Sequence, residues 1–140
     1  MRLWRGLEEV QGSLRFYPPS PNAEQWIEAS FRDAIGSADA DVLVVVDGEE
    51  TVGMALVRAE RPSRTSDELA AELSRVVVRD DRRGGGFGAL LVDAARDWAR
   101  ARGIRSLSAT IFVSNEAGRG FWLGRGFVPW AERIVREVDP

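Results

Sequence analysis

The sequence has 140 residues, a formal net charge of -3 and a hydrophobic content of 44%, which together indicate one globular domain with a sizeable core. All 19 cationic residues are arginine, and histidine and cysteine are both absent. These absences exclude a lysine Schiff base, a thiolate nucleophile and a thiolate metal site, and no metal is expected. The acidic balance argues against general nucleic-acid binding, whereas a basic small molecule or peptide fits it.

The chain shows no feature of a membrane or secreted protein. Its first ten residues, MRLWRGLEEV, lack the long apolar core of a secretory signal, and no stretch approaches a membrane span. We therefore expect a cytoplasmic protein without a membrane partner. The turn-rich breaks RFYPPSPN and RAERPSRTSD are too short to separate domains, so one domain over residues 1–140 is predicted.

The first predicted elements are a helix and a hairpin. AEQWIEASFRDAIG predicts a helix that stops at Gly36. Its apolar residues are spaced as one stripe: Trp26, Ile27, Phe31 and Ile35. DVLVVVDGEETVGMALVRA consists of two runs rich in β-branched residues joined at an Asp-Gly pair, which predicts a β-hairpin. ELSRVVV predicts a third strand.

The second half of the chain adds two helices and two strands. A helix is predicted from Gly86 to Arg102, with apolar residues on one face and Gly103 at its C-terminal end. IRSLSATIFV predicts a strand, NEAGRGFWLGRG a short helix, and FVPWAERIVREV a last strand or hairpin. This order predicts an α/β (α+β) fold, with one mixed sheet and helices on its faces.

The stretch RDDRRGGGFGALL places three successive glycines between a charged turn and a helix. Glycine inside an element costs roughly 0.5–1 kcal/mol relative to alanine, so a positive φ or a closely approaching ligand is indicated. Bare amides at a helix N-terminus suit an anion such as a pyrophosphate. The other interpretation is a tight turn that only caps the helix. Residues 84–89 would supply the backbone donors, and Arg83 could add a positive charge.

Two other phosphate-binding patterns also contain several glycines. A Walker-type loop requires Gly-Lys-Ser/Thr, and the chain has no lysine. Residues 84–89 match the dinucleotide pattern G-x-G-x-x-A, but that fold requires an acidic residue about 20 positions further on, at the end of the next strand. The next predicted strand ends in ATIFVSN and holds no carboxylate before Glu116, which disfavours a dinucleotide-binding protein.

Two motifs flank the second helix and the strand after it. The first is Arg83-Gly-Gly-Gly-Phe-Gly88, which follows the pattern R/Q-x-x-G-x-G/A, and the second is NEAGRGFWLGRGF, which follows N-x-x-A-x-x-F-Y-x-x-x-G-F. At this separation the pair resembles the GNAT superfamily of acetyl-CoA-dependent N-acetyltransferases, strongly from Glu72 to Phe127. This sequence has Asp80 where the family commonly has proline, and Trp122 where it has tyrosine.

The resemblance implies a mixed, mostly antiparallel sheet with helices on both faces and a splayed strand pair that receives acetyl-CoA. The pantetheine arm would pair with the strand backbone like an added strand, and the pyrophosphate would lie on the glycines. Asn115 would contact the coenzyme and also N-cap the last helix. The implied coenzyme-binding residues are Val76, Val77, Val78, Arg83, Gly84, Gly85, Gly86, Phe87, Gly88, Ala89, Asn115 and Trp122.

The sequence leaves more than one assignment for the catalytic groups. An acceptor amine with a pKa of about 10.4 must lose a proton, which costs about 4.6 kcal/mol at pH 7. Glu72 is the candidate base, because it stands in register with the strand glutamate of the histone acetyltransferase branch. An ordinary strand-edge carboxylate is an equal alternative, and Glu68 and Glu116 are further acids. Trp122 is interpreted as a packing aromatic, because an indole N–H donates a hydrogen bond but is not an acid. The only tyrosine is Tyr17.

The leading function is therefore transfer of an acetyl group from acetyl-CoA to a primary amine of a small molecule, amino acid or peptide. The alternative is a coenzyme-A-binding sensor or interaction module that has lost catalysis, which the tryptophan at position 122 motivates. A homodimer is expected from the C-terminal segment FVPWAERIVREV, because it combines an exposed strand edge with a tryptophan.

Overall fold

The computed structural model of the protein describes residue 17 and residues 20–138. Its elements in chain order are α1 (Ala23–Ile35), β1 (Ala40–Asp47), β2 (Glu50–Glu60), β3 (Ala70–Val78), a 3-10 turn (Asp80–Arg82), α2 (Phe87–Ala101), β4 (Leu107–Ser108) and α3 (Glu116–Gly124). The first ten residues, where no secretory signal is predicted, lie outside the described part. Among the residues described, no helix combines the length and the apolar character needed to cross a membrane.

The β1–β2 hairpin forms at the predicted Asp-Gly turn. Gly48 has a φ of 65°, a conformation that side-chain-bearing residues rarely adopt. The two strands pair antiparallel, with Ala40 opposite Arg58 and Asp47 opposite Glu50. The hairpin prediction is confirmed.

The sheet has the order β1-β2-β3-β4. β3 pairs antiparallel with β2, and β4 pairs parallel with the opposite edge of β3. The predicted mixed, mostly antiparallel sheet is therefore confirmed.

Helices cover both faces of this sheet, as predicted. On one face, Ile27 and Phe31 of α1 pack against Leu56 of β2. Trp26 and Ile35, predicted for the same stripe, are 63% and 73% exposed. The buried residues of α1 are Ile27, Phe31 and Ala34, which lie on one side of the helix at i, i+4 and i+7.

α2 packs on the other face of the sheet. Leu91 and Trp98 lie on its buried side together with Val57 and Leu73 of the sheet. Gly103, with a φ of 71°, follows the last turn of the helix, as the sequence predicts. This larger cluster is the main core of the domain.

Two predicted strands differ from the structure. IRSLSATIFV forms a strand only at Leu107–Ser108, because β4 parts from β3 after these two residues. The prediction of a last strand or hairpin in FVPWAERIVREV is wrong, because residues 127–138 form neither helix nor strand. Pro129 has no N–H for a strand ladder, and residues 128–138 are all exposed, so the apolar pattern there is not matched by a covering layer.

Candidate functional site

The site is built around a fork between β3 and β4. These strands pair only where Ala71 lies opposite Leu107 and Glu72 lies opposite Ser108. Beyond Ser108, within the part of the chain described, no strand covers this edge of β3. An uncovered strand edge presents N–H and C=O groups to an extended ligand. The strand pair that the family resemblance implies to be splayed is paired here at two positions only.

Val76–Val78 lie along the open edge of β3. The side chains of Val76 and Val78 pack against the main core, and Val77 is buried. Their backbone thus lies at the edge while their side chains stabilise the fold. A packing role for the side chains is therefore compatible with a ligand-binding role for the backbone.

A β-bulge in β3 lies directly before the three valines, and the sequence gives no signal for it. Met54 is opposite Val77, but Leu56 is opposite Ser74, so β3 holds one extra residue. Arg75 has a φ of 52°, which is uncommon for a residue other than glycine. Its Nε donates to Ser30 Oγ of α1 at 3.2 Å. Bulges occur often beside active sites, where they redirect the strand.

The glycine loop follows β3 at the open end of the fork. Gly84 and Gly86 have φ values of 82° and 85°, and a Cβ built on either would meet no atom within 4 Å. Gly86 is the N-cap of α2, no side chain caps this end, and the first turn carries no acidic residue. The first amides of a helix have no intrahelical acceptor. The loop therefore presents free donors and open space, as an anion site requires.

The other two glycines of the loop have a packing role. A Cβ on Gly88 would lie 3.0 Å from the ring of Phe121, and one on Gly85 would lie 3.1 Å from the ring of Phe87. The Gly85 N–H donates to Arg82 O at 3.3 Å, so this amide already takes part in the turn. Only some of the predicted donors in residues 84–89 are therefore open to a ligand.

α3 packs against the start of α2. Asn115 caps α3, since its Oδ1 accepts from Gly118 N at 3.0 Å. A Cβ on Gly118 would lie 2.6 Å from the Asn115 amide nitrogen, so a larger residue there would require the Asn115 side chain to shift. The Trp122 ring meets the rings of Phe121 and Phe127 edge to face, with centroids 5.2 Å and 5.0 Å away. Trp122 also packs against the main core, which agrees with its interpretation as a packing aromatic.

Arg83 and the acids considered besides Glu72 lie at separate places. Arg83 forms an ion pair with Asp80 at 2.8 Å, beside the glycine loop. Glu68 is paired with Arg105 at 2.7 Å, outside the fork. Glu116 is the first residue of α3, and Tyr17 is exposed.

Glu72 lies at the closed end of the fork, six residues before Val78. Because β3 holds one extra residue, this separation matches the five-residue span from Gly53 to Arg58 on β2, roughly 17 Å at about 3.3 Å per residue, comparable to an extended pantetheine arm. The Glu72 carboxylate accepts from Arg58 Nε at 3.2 Å. Burial is the main cause that raises its pKa above the usual value, and contact with Glu60 adds to this, while Arg58 lowers it. Ser108 Oγ donates to Glu60 Oε1 at 3.0 Å and so bridges β4 to β2.

A groove of about 500 Å³ opens beside Glu72, between α1 and the sheet. The polar residues that line it are Ser30, Asp33, Ser37, Asp39, Arg58, Glu72, Ser74 and Arg75. Sequence analysis missed this groove and the contact between Glu60 and Glu72. Both depend on how β2 and β3 are registered, which the residue pattern of either strand does not determine.

Comparison with known proteins gives the family. The sequence model of the Acetyltransferase (GNAT) family matches residues 7–127. The chain belongs to the GNAT family. Comparison with curated proteins gives no significant match.

Solved structures share this GNAT fold. A protein of Pyrococcus furiosus assigned as an acetyl transferase is similar at a TM-score of 0.76 and 19% identity, covering 98% of this chain and 92% of that one. A Bacillus halodurans protein described as a transcriptional regulator gives 0.70 and 24%, covering 89% and 81%. AAC(6')-Iy, in complex with the bisubstrate analog CoA-S-monomethyl-acetylneamine, gives 0.72 and 15%, covering 99% and 90%.

Proposed function

We propose that this GNAT protein is an N-acetyltransferase that moves an acetyl group from acetyl-CoA to a primary amine. One observation carries the proposal: the uncovered edge of β3 lies between a glycine loop with uncapped helix N-terminal amides at one end and a half-buried carboxylate at the other. A ligand with a phosphate head, an extended arm and a reactive tip matches this order. The proposal is made for the single domain predicted over residues 1–140.

The glycine loop and β3 fit the coenzyme part by part. The first amides of α2 would donate to the pyrophosphate, and Arg83, the one cation of the predicted set, would add a positive charge. The backbone of Val76–Val78 would pair with the pantetheine amides, as an added strand would. The bulge at Arg75 bends β3 directly before these valines, because an extra residue kinks the strand that carries it.

The chemistry requires a base more than any other group. Acetyl-CoA supplies a thioester whose carbonyl carbon bonds to a neutral amine, with loss of the coenzyme as a thiol. Glu72 would take the proton that the amine loses, directly or through a water molecule. A carboxyl group with a raised pKa is a stronger base than an ordinary glutamate, and the cause here is burial at the fork.

The groove beside Glu72 would receive the acceptor. It is lined by hydroxyl, carboxylate and guanidinium groups, which suits the amine of a small molecule, an amino acid or a peptide. The other described residues that line it are small or aliphatic: Ala34, Ala40, Leu56 and Ala59.

The second candidate function is a coenzyme-A-binding module without catalysis. It is favoured by Trp122, because that position carries an indole in place of the tyrosine common in the family. A thiol with a pKa of about 8.5 leaves with little assistance, so water can protonate the thiolate and activity does not depend on this position.

A panel of amines with acetyl-CoA would separate the two functions. We expect steady-state release of free coenzyme A with at least one polar primary amine, measured by a thiol-reactive dye. Tight acetyl-CoA binding without turnover across small amines, amino acids and peptide N-termini would instead support the non-catalytic module. Absence of acetyl-CoA binding would contradict both.

Asn115 offers a test that separates its two roles. Asn115→Ala should lower the free energy of unfolding by about 0.5–2 kcal/mol, because the cap of α3 is lost. Asn115→Asp should retain that stability, since its carboxylate still accepts from the Gly118 N–H. If the Asn115 amide also contacts the coenzyme, acetyl-CoA affinity should fall in both variants. Full affinity in Asn115→Asp, measured by calorimetry, would restrict Asn115 to capping.

We also propose that the protein forms a homodimer through its C-terminal segment. Val128 and Trp130 there are 79% and 76% exposed, and a second copy would remove this apolar surface from water. Light scattering at micromolar concentration should give the mass of a dimer, and Trp130→Glu should give that of a monomer. A monomeric wild-type protein would remove the proposal.

A further inference from the structure

The turn between β1 and β2 is joined to the 3-10 turn that precedes the glycine loop. Arg79 donates from Nε to Asp81 Oδ1 at 2.6 Å and from Nη2 to Glu50 Oε2 at 3.0 Å. Arg82 donates from Nε to Asp47 Oδ2 at 3.2 Å and from Nη2 to the same Glu50 oxygen at 3.3 Å. We call these five residues the turn clamp.

The turn clamp lies shortly before a run of glycines in the chain. Residues 84–86 are three successive glycines, which lose more conformational freedom on ordering than other residues do. The Arg79 N–H also donates to Val52 O at 2.7 Å, so backbone and side chains together hold this turn to β2. A loop already ordered in the free protein saves the ordering cost when a ligand binds.

We propose that Asp47 and Glu50 are positioning residues for the coenzyme: through Arg79 and Arg82 they hold the glycine loop in its binding conformation. Both carboxylates accept hydrogen bonds from these two arginines. The inference rests on the proposed function, because it takes acetyl-CoA as the ligand of that loop.

The net charge of the turn clamp makes the proposal testable, because a positioning effect and a charge effect change acetyl-CoA affinity in opposite directions. It contains two guanidinium groups, Arg79 and Arg82, against three carboxylates, Asp47, Glu50 and Asp81. Its net effect on an anionic ligand through space is therefore repulsive. Removing one carboxylate should strengthen acetyl-CoA binding if only charge matters, and weaken it if the carboxylate positions the loop.

Glu50→Gln is the test variant, and Glu49→Gln is its matched control. Glu49 is the adjacent residue of the same turn, it is exposed, and within the described chain its side chain has no hydrogen bond or ion pair. Both variants lose one negative charge at nearly the same place. We expect Glu50→Gln to bind acetyl-CoA about three- to tenfold more weakly than Glu49→Gln by calorimetry, the range that loss of one or two partly exposed ion pairs gives.

Kinetics and hydrogen exchange separate positioning from a general loss of structure. KM for acetyl-CoA should rise in Glu50→Gln while kcat is unchanged, and amide exchange in residues 82–86 should be faster than in Glu49→Gln. Asp47→Asn is a second variant with the same expected direction, in case Glu50→Gln folds poorly. Equal or tighter acetyl-CoA binding in Glu50→Gln and Asp47→Asn than in Glu49→Gln would overturn the proposal.

Failure of the proposed function would give a different result. If the wild-type protein does not bind acetyl-CoA, the proposed function fails, and with it the role of the clamp in coenzyme binding. If the wild type binds the coenzyme but the exchange rates and affinities of Glu50→Gln and Glu49→Gln coincide, only the positioning role is overturned.

Discussion

Gly86→Asp is expected to weaken acetyl-CoA binding by about 100-fold or more while the sheet remains folded. The substituted carboxylate would stand at the N-cap of α2, among the amides that are proposed to hold the pyrophosphate. Two like charges about 5 Å apart at an effective dielectric constant of about 20 repel by about 3 kcal/mol, which corresponds to roughly a 100-fold loss of affinity. Calorimetry with acetyl-CoA measures the loss, and circular dichroism checks the fold.

Gly86→Asn is the control for this variant. Asparagine has nearly the same size as aspartate, and both are among the residues that tolerate a positive φ, which is 85° at Gly86. The two variants therefore share the backbone strain and differ in charge. We expect Gly86→Asn to bind much more tightly than Gly86→Asp. Equal affinities in two folded variants would reject the proposed phosphate site.

Gly88 cannot serve the same purpose, although it belongs to the same motif. Its missing β-carbon leaves room for the ring of Phe121, at 3.0 Å from the position a Cβ would take. Any side chain at Gly88 would disturb the contact between α2 and α3. A loss of binding there would not distinguish charge repulsion from altered packing.

The elements that depend on neighbouring residues were predictable from sequence. The hairpin follows from an Asp-Gly pair that needs a positive φ at Gly48, and α2 follows from apolar residues at helical spacing. The glycine loop is predictable for the same reason. Gly84 and Gly86 have φ values near 85°, and glycine adopts positive φ without support from other parts of the chain.

The features that depend on strand pairing were not predictable. Arg75 takes a left-handed conformation because β3 has one residue more than β2 at that point, and nothing in the arginine itself indicates this. In FVPWAERIVREV a strand was predicted and none is formed. Apolar residues suited to a strand do not determine whether a neighbouring strand is present to pair with it. The turn clamp likewise joins charges far apart in sequence.

The same distinction applies to the candidate site. Glu72 could be selected from sequence by its distance from the glycine motif, but its surroundings could not. Its pKa is raised first by burial at the fork and then by Glu60 from the neighbouring strand, and Arg58 opposes the change. These three side chains meet only when β2 and β3 are paired. The raised pKa is a physical reason for proposing this carboxylate as the base.

Glu72→Gln is expected to lower turnover by about 10²–10⁴-fold at neutral pH, the usual contribution of a general base, without changing acetyl-CoA affinity. The wild-type rate should fall as the pH drops through the raised pKa of Glu72, because the protonated carboxyl cannot accept a proton. The variant has no such group, so its rate should follow the fraction of neutral amine, rising about tenfold per pH unit toward an amine pKa of about 10.4. The difference between the two enzymes should therefore shrink as the pH rises.

Glu68→Gln is the matched control, because Glu68 is bound to Arg105 outside the fork. It should leave the rate and its pH dependence unchanged. A loss of activity in Glu72→Gln that is constant across pH would indicate a structural glutamate, since misfolding or weaker binding does not depend on the protonation of the amine. Full activity of Glu72→Gln at neutral pH would mean that another group takes the proton, or that the acceptor arrives neutral. A loss in Glu68→Gln alone would assign the base to that residue.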